Sequence, residues 1–213
     1  TVIKYGAKIL LIDIANGYIS SLAQCLAKCT ELIKAADSKC LLMAGSVIDY
    51  LGAINLYKYG CDLIRVGIGS GHLCTTRKVT GVGFPQLSAI ENCCINKQNF
   101  MKIIADGGIR SSGDAVKALA VGADAVMLGT LFAQTNESAN NGIIYGMASR
   151  KIQESYYDTV KSIEGIEEEF KKTMSLEEFI SEFTYGIKSA CTYVDARNLY
   201  ELNKHAEFVR KYK

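Results

Sequence analysis

Five short apolar runs, each closed by a loop containing glycine, limit what this chain can fold into more than any other feature. They occupy residues 8–14, 40–47, 63–68, 101–105 and 125–131, and helical patterns at 20–35, 49–59, 85–92 and 112–121 separate them. Runs this short and this uniformly apolar suit parallel strands covered on both faces; a strand with one wet face would alternate. A parallel neighbour can be reached only by a long crossover, which a helix provides. In the helix predicted at 112–121, Ala115, Ala118 and Leu119 are the apolar positions, and Gly122 follows as a C-terminal cap.

Polar residues collect just after each run: Asp13-Ile14-Ala15-Asn16-Gly17, Ala44-Gly45-Ser46, Gly67-Ile68-Gly69-Ser70-Gly71, Asp106-Gly107-Gly108 and Gly129-Thr130. The C-terminal ends of parallel strands are where α/β folds place their sites. A unit recurs in front of the runs, as Tyr5-Gly6-Ala7, Tyr59-Gly60-Cys61-Asp62 and Val121-Gly122-Ala123-Asp124. This repetition favours a (β/α)8 barrel over a Rossmann sheet. Five βα units cannot close an eight-stranded barrel, so the chain reads as part of one.

Past residue 132 the pattern changes. Residues 134–149 are rich in Gly, Asn and Ser and predict a loop or flap without strand, and the charge run at 166–172 predicts a solvated segment. Ser175-Leu176-Glu177-Glu178 is a capping box that opens a helix, and 195–210 predicts a final one. The expected organisation is therefore barrel units over 1–133, a flap region over 134–173, and a helical segment over 174–213 packing on the barrel.

Composition excludes several classes of function. With 24 basic and 22 acidic residues the net charge is +2, which offers no basic face for nucleic acid. No apolar run approaches the roughly 18 residues of a membrane span, and residues 1–6 lack a signal pattern. A cytoplasmic protein is the expectation. Of eight cysteines, all but Cys74 read as structural thiols of a reducing compartment, and two histidines leave no metal-ligand spacing. Pro85 is the single proline, so turns must be built mostly from glycine.

Chemistry concentrates in three places. Gly67, Gly69 and Gly71 let the backbone curl around an ion or phosphate, and Cys74 follows among hydroxyls and Arg77. A thiol in a cationic, amide-rich loop is a candidate nucleophile, against the plainer reading of a small buried apolar residue. Asp106-Gly107-Gly108 and Gly129-Thr130 follow consecutive strands, suited to a ribose diol and a phosphate, or simply two tight turns. Asp13, Asn16, Gly17 and Tyr18 form a third polar strand end, which a solvated loop would explain equally well. His72 fits a phosphate contact or a surface position, and His205 a helix surface. Glu164, near Glu167, Glu168 and Glu169, reads on its own as surface charge.

The ordered series Cys74-Thr75-Thr76-Arg77, Gly81-Val82-Gly83-Phe84-Pro85-Gln86, Asp106-Gly107-Gly108 and Met127-Leu128-Gly129 resembles the IMP dehydrogenase/GMP reductase family. The likeness runs from Asp13 to Arg210 and implies strands four to eight of a (β/α)8 TIM barrel plus flap and tail. The full protein is then expected to be longer by roughly a hundred residues. Ala15-Asn16-Gly17-Tyr18, Tyr145-Gly146-Met147-Ala148-Ser149 and Gly186-Ile187-Lys188-Ser189-Ala190-Cys191-Thr192-Tyr193 resemble the reductase branch. At the flap, Glu154-Ser155-Tyr156-Tyr157 stands where the dehydrogenases carry an Arg-Tyr pair that activates water.

The resemblance implies NADPH-dependent reductive deamination of GMP to IMP and ammonia through a covalent cysteine thioimidate. The alternatives are NAD-dependent oxidation of IMP and an inactive nucleotide-binding homologue. It implies Cys74 as nucleophile and Glu164 with Thr76 as general acid. Asp106, Gly107, Gly108, Gly129, Thr130 and Tyr145 would hold ribose and phosphate, with Gly146 and Met147 at the purine. Asp13, Asn16 and Gly17 would line the dinucleotide side, and Lys161 and Ser189 would approach a neighbouring subunit's cofactor in a homotetramer. Carbonyls of Gly69, Gly71 and Cys74 would hold a monovalent cation such as K+. This chain departs from the family pattern at His72, at Ser46 and in a short connection over 137–145.

Overall fold

The computed structural model describes residues 2–36, 38–98, 100–156 and 158–210. Strands β1 (Ile9–Asp13), β2 (Leu41–Val47), β3 (Leu63–Val66), β4 (Lys102–Asp106) and β5 (Ala125–Met127) form one parallel sheet in sequential order β1-β2-β3-β4-β5. Helices α1 (Ser21–Ala35), α2 (Tyr50–Lys58), α3 (Thr76–Thr80), α4 (Gln86–Cys94), α5 (Ser112–Ala120) and α6 (Thr130–Ala133) follow the strands. Each strand lies beside the next one in the chain, the singly wound order of a barrel rather than the reversed order of a doubly wound sheet. The sheet is an arc of such a barrel.

Pleating divides the sheet's residues between two faces. Leu42, Ala44, Ile64, Val66, Ile103 and Ala105 join Leu26, Leu56, Ala89, Ile90, Cys93 and Ala115 from the helices in one core. Full burial of each large side chain in it contributes about 1.5–3 kcal/mol. The alternate residues, among them Asp13, Gly45, Arg65 and Asp106, lie on the other face.

The recurring unit ahead of the strands is a structural device. Gly6, Gly60 and Gly122 all adopt positive φ (84°, 98° and 118°), the left-handed turn that aims the chain into the next strand. Asp62 then donates its N–H to the Leu42 carbonyl and accepts the Leu42 N–H on its carboxylate, each at 2.8 Å. Asp124 repeats this on Ile103, also at 2.8 Å for both bonds. Each aspartate pairs the backbone at the start of the strand before its own.

After β5 three expectations need correction. The stretch 134–149 contains a 3-10 turn (Ala139–Gly142) and strand β6 (Ile143–Tyr145), with helix α7 (Arg150–Tyr156) following. The charge run is largely exposed, as expected, and holds strand β7 (Glu167–Glu169), antiparallel to β6 with Tyr145 opposite Glu167. A three-glutamate strand carries no hydrophobic period; it exists because β6 supplies its backbone partners, while Lys151 ion-pairs with Glu167 at 2.9 Å and the His72 ring hydrogen bonds Glu168 at 2.8 Å. The predicted strand at 125–131 stops at Met127, and α6 starts at Thr130.

The capping box is present, and Ser175 hydrogen bonds hold the Glu178 carboxyl below its usual pKa at the start of α8 (Leu176–Tyr193). The last helix is shorter than expected. Asp195 turns left-handed at φ 53°, Asn198 caps α9 (Leu199–His205), and the chain leaves Ala206 extended. His205 is exposed and its ring contacts the Val194 carbonyl at 3.0 Å. Among the described residues no helix is long and apolar enough to cross a membrane.

Asp62→Ala would strand the buried Leu42 N–H, so the expected loss of stability is about 1–3 kcal/mol. Asp62→Asn keeps an acceptor and should lose less. Urea unfolding of the two variants measures the difference.

Candidate active site

The loop after β3 carries Cys74 and leads directly into α3, so Thr76 is the first helical residue and stands beside the thiol. The Cys74 thiol donates to Thr76 Oγ1 at 3.1 Å, and the Thr76 hydroxyl donates to Glu164 Oε2 at 2.9 Å. A thiol, a hydroxyl and a carboxylate thus form one continuous hydrogen-bond chain, able to move a proton between sulfur and carboxylate.

Glu164 is far from Cys74 in sequence and reaches it through backbone pairing. Thr75 N–H donates to the Glu164 carbonyl at 2.9 Å, and Ile166 N–H to the Leu73 carbonyl at 3.0 Å. On the other side Glu164 N–H donates to the Ala148 carbonyl at 3.1 Å, and Gly146 N–H to the Ile166 carbonyl at 3.0 Å. The segment carrying Glu164 is therefore held between the Cys74 loop and the flap. Gly146 and Gly165 allow this: a Cβ on either would lie 3.1 Å from the other's Cα. Glu164 is half-buried and lies apart from the exposed side of β7.

Around this chain is a cavity of about 450 Å³. Its walls bring together Cys74, Thr76, Glu164, Asp106, Gly107, Gly108, Gly129, Thr130, Tyr145, Gly146 and Met147, the whole predicted catalytic and substrate set. Gly71 and His72 reach it as well. Met147 is 70% exposed, which leaves its side of the cavity open.

The other predicted residues lie elsewhere. Asn16 accepts the Tyr18 N–H at 3.0 Å, and a Cβ on Gly17 would come within 2.8 Å of the Ser46 carbonyl oxygen, so both shape their own loop. Tyr18 accepts the Ile48 N–H at 2.9 Å, and burial pushes its hydroxyl up to about 12. Only Ala15 of that loop lines the cavity. Lys161 and Ser189 are exposed and outside it. Gly69, Gly71 and Cys74 line an adjoining cavity of about 410 Å³ with Ser70 and Thr75. Tyr157 lies outside the described residues; Glu154 and Tyr156 of the same motif are exposed on α7.

Two residues that the sequence reading passed over organise the site. Arg65 is 8% exposed and ion-pairs with Asp106 at 3.1 Å and, on its other terminal nitrogen, with Asp13. Burial pushes the Asp106 carboxyl above its usual pKa, with Arg65 opposing the rise and Asp13 adding to it. Gln86, directly after Pro85, donates to the Val66 and Asp106 carbonyls at 2.9 and 3.0 Å. Ser70 donates to the same Asp106 carbonyl at 2.9 Å. The signal for Arg65 was a lone charge inside an apolar strand run; Gln86 had none outside its motif.

The class that fold and site define is an arc of (β/α)8 barrel with a cysteine–threonine–glutamate hydrogen-bond chain over a glycine-walled cavity. The family model described as the IMP dehydrogenase / GMP reductase domain matches residues 1–213, and the chain belongs to that family, whose named members are oxidoreductases. It is 36% identical over 231 residues to an inosine-5'-monophosphate dehydrogenase of Chlorobaculum parvum, covering 98% of this chain and 46% of the relative. It is 37% identical over 227 residues to the one of Aquifex aeolicus, with 98% and 46% covered. A crystal structure of a cysteine-to-alanine variant of GMP reductase from Trypanosoma brucei, in complex with guanosine 5'-monophosphate, superposes with a TM-score of 0.89 at 30% identity, covering 99% of this chain and 46% of that one. The chain spans about half the length of the curated relatives it matches.

All eight cysteines are free thiols, Cys25 exposed and Cys74 half-buried. Burial pushes Cys61 up to about 12 and raises Cys93 as well, which removes their thiolate at neutral pH. Iodoacetamide at neutral pH should label Cys25 and Cys74 and spare Cys61 and Cys93. Peptide mass mapping reads the outcome.

Proposed function

We propose that the protein is a GMP reductase, converting GMP, NADPH and two protons to IMP, NADP+ and ammonium. The observation that carries this reading is the hydrogen-bond chain from Cys74 Sγ through Thr76 to Glu164. Displacing an amino group from a purine needs a nucleophile at C2 and a proton for the leaving nitrogen, and one chain of groups supplies both. As Cys74 gives up its proton through Thr76 to Glu164, sulfur adds to C2. The same path returns a proton to the amino group, which leaves as ammonia and yields a thioimidate. A reduced nicotinamide, when bound, would supply the hydride that C2 requires, and the Cys74 sulfur would then leave as thiolate. Asp106 accepts from the ribose diol, while the Gly107-Gly108 and Gly129-Thr130 turns offer backbone amides to the phosphate.

On this reading the β1 loop would hold the cofactor, with Ala15 at the cavity wall, the Asp13 carboxylate engaged by Arg65, and Asn16 and Gly17 holding the loop's shape. Lys161 and Ser189, exposed and away from the cavity, face a neighbouring subunit's cofactor in a homotetramer. A potassium ion is assigned to the carbonyls of Gly69, Gly71 and Cys74. The fit is in the neutral carbonyl oxygens of one turn, curled by Gly69 at φ 71°; Arg77, which donates to the Phe84 carbonyl, lines the same cavity with Lys78 and Arg110, so a cation there meets three positive side chains.

The second reading is an IMP dehydrogenase, which the names of the curated relatives favour. Against it, residues 154–157 contain no arginine, and Arg150 on the same helix pairs with Glu154 at 3.6 Å in the solvent. Absorbance of reduced nicotinamide separates the readings. Loss of NADPH with GMP is expected, and reduction of NAD with IMP would overturn the assignment. Cys74→Ala should abolish turnover while leaving GMP affinity within about tenfold. Glu164→Gln should lower kcat by about 10²- to 10⁴-fold.

A further inference from the structure

Arg65 stands on the concave face of β3, where the rows of Asp13, Gly45 and Ile104 converge. Its two terminal nitrogens reach the carboxylates of Asp106 and Asp13, and the second also lies 3.4 Å from the carbonyls of Ile14 and Gly45. These contacts tie the loop after β1 to the loop after β4, across two intervening strands. Gly45 makes room for it, since a Cβ there would collide with the Arg65 carbonyl oxygen and lie 2.6 Å from its Cβ. The buried Nε of Arg65 has no hydrogen-bond partner within the described residues. An orphaned buried N–H costs about 1–3 kcal/mol, so packing alone does not account for a guanidinium here.

The main chain of Asp106 is also fixed, its carbonyl accepting from both Ser70 and Gln86. With backbone and carboxylate both held, Asp106 presents one ordered edge to the cavity.

We propose that Arg65 is a positioning residue of the nucleotide site, whose guanidinium holds the Asp106 carboxylate ionised and oriented as the acceptor for the ribose hydroxyls. This rests on the reading of the cavity as a purine nucleotide site. Arg65 and Asp13 are the charged groups facing Asp106; His72, Arg110 and Glu164 line the same cavity. Two charges oppose each other at Asp106, because Arg65 favours its ionised form and Asp13 its neutral form. A fork that grips two carboxylates at once is a role lysine cannot fill completely.

The test uses the whole protein with ¹³C-labelled aspartate, Asp106 being assigned by its loss in Asp106→Asn. In Arg65→Met the Asp106 carboxyl should titrate at higher pH, and calorimetric affinity for GMP and IMP should fall about 10- to 100-fold. KM should rise by a similar factor while kcat stays within about threefold, and Arg65→Lys should recover part of both changes. A folded Arg65→Met with unaltered Asp106 titration and unaltered affinity would overturn the proposal. Should Arg65→Met fail to fold, Asp13→Asn tests the same link: with Arg65 left to Asp106 alone, the Asp106 midpoint should fall, and an unmoved midpoint counts against the proposal. If the wild type binds neither GMP nor IMP, the nucleotide reading fails, and the Asp106 titrations still decide whether Arg65 sets that carboxylate.

Discussion

The site depends on a short seam of backbone hydrogen bonds. Thr75 and Leu73 pair with Glu164 and Ile166 on one side, and Ala148 and Gly146 pair with the same segment on the other. This seam sets Glu164 against Thr76, and through Thr76 against Cys74. Side chains alone could not do so, because an exposed carboxylate gains little from a single contact and is free to swing into water. Backbone bonds leave the segment no such freedom, and the facing glycines at 146 and 165 let the strands come close enough to form them.

Beneath the seam the sheet separates two tasks. Its convex face is apolar and buries the helices, with Leu42, Ile64, Val66 and Ile103 in the common core. Its concave face carries the charges, and Arg65 prevents Asp13 and Asp106 from standing as two unneutralised acids near each other. The glycine loops allow backbone contacts between neighbouring strand ends that any side chain would block. At Gly67, with φ 142°, a Cβ would collide with the Asp106 carbonyl oxygen. At Gly107, with φ 90°, it would lie 2.5 Å from Ser70 Oγ. These two positions bring the β3 and β4 loops into one wall of the cavity.

The five strands and the helices that alternate with them were legible because apolar runs and helical periods are local signals. The recurring Gly-x-Asp unit was visible as repetition, and its meaning came from the structure: a left-handed turn followed by a carboxylate that accepts the N–H of the second residue of the preceding strand. Strand β7 was hidden because three glutamates have no hydrophobic period, and its partners Ile143, Ile144 and Tyr145 lie more than twenty residues earlier. The late start of α9 was hidden because Asp195 breaks the helical path with a left-handed residue that composition does not announce.

By itself, then, the sequence determined a parallel α/β arc with its chemistry at the strand ends, and the family motif named Cys74, Thr76, Asp106 and Glu164. Position in the chain assigned Glu164 no more importance than the glutamates after it. Tertiary structure decided that Glu164 turns to Thr76 while Glu168 turns to His72 and Glu167 to Lys151. It also decided that one arginine in an apolar strand answers two aspartates from the ends of separate strands. Local propensity is set within a few residues, whereas the partner of a charge is whatever distant segment the fold carries to it, and no period in the sequence records that distance.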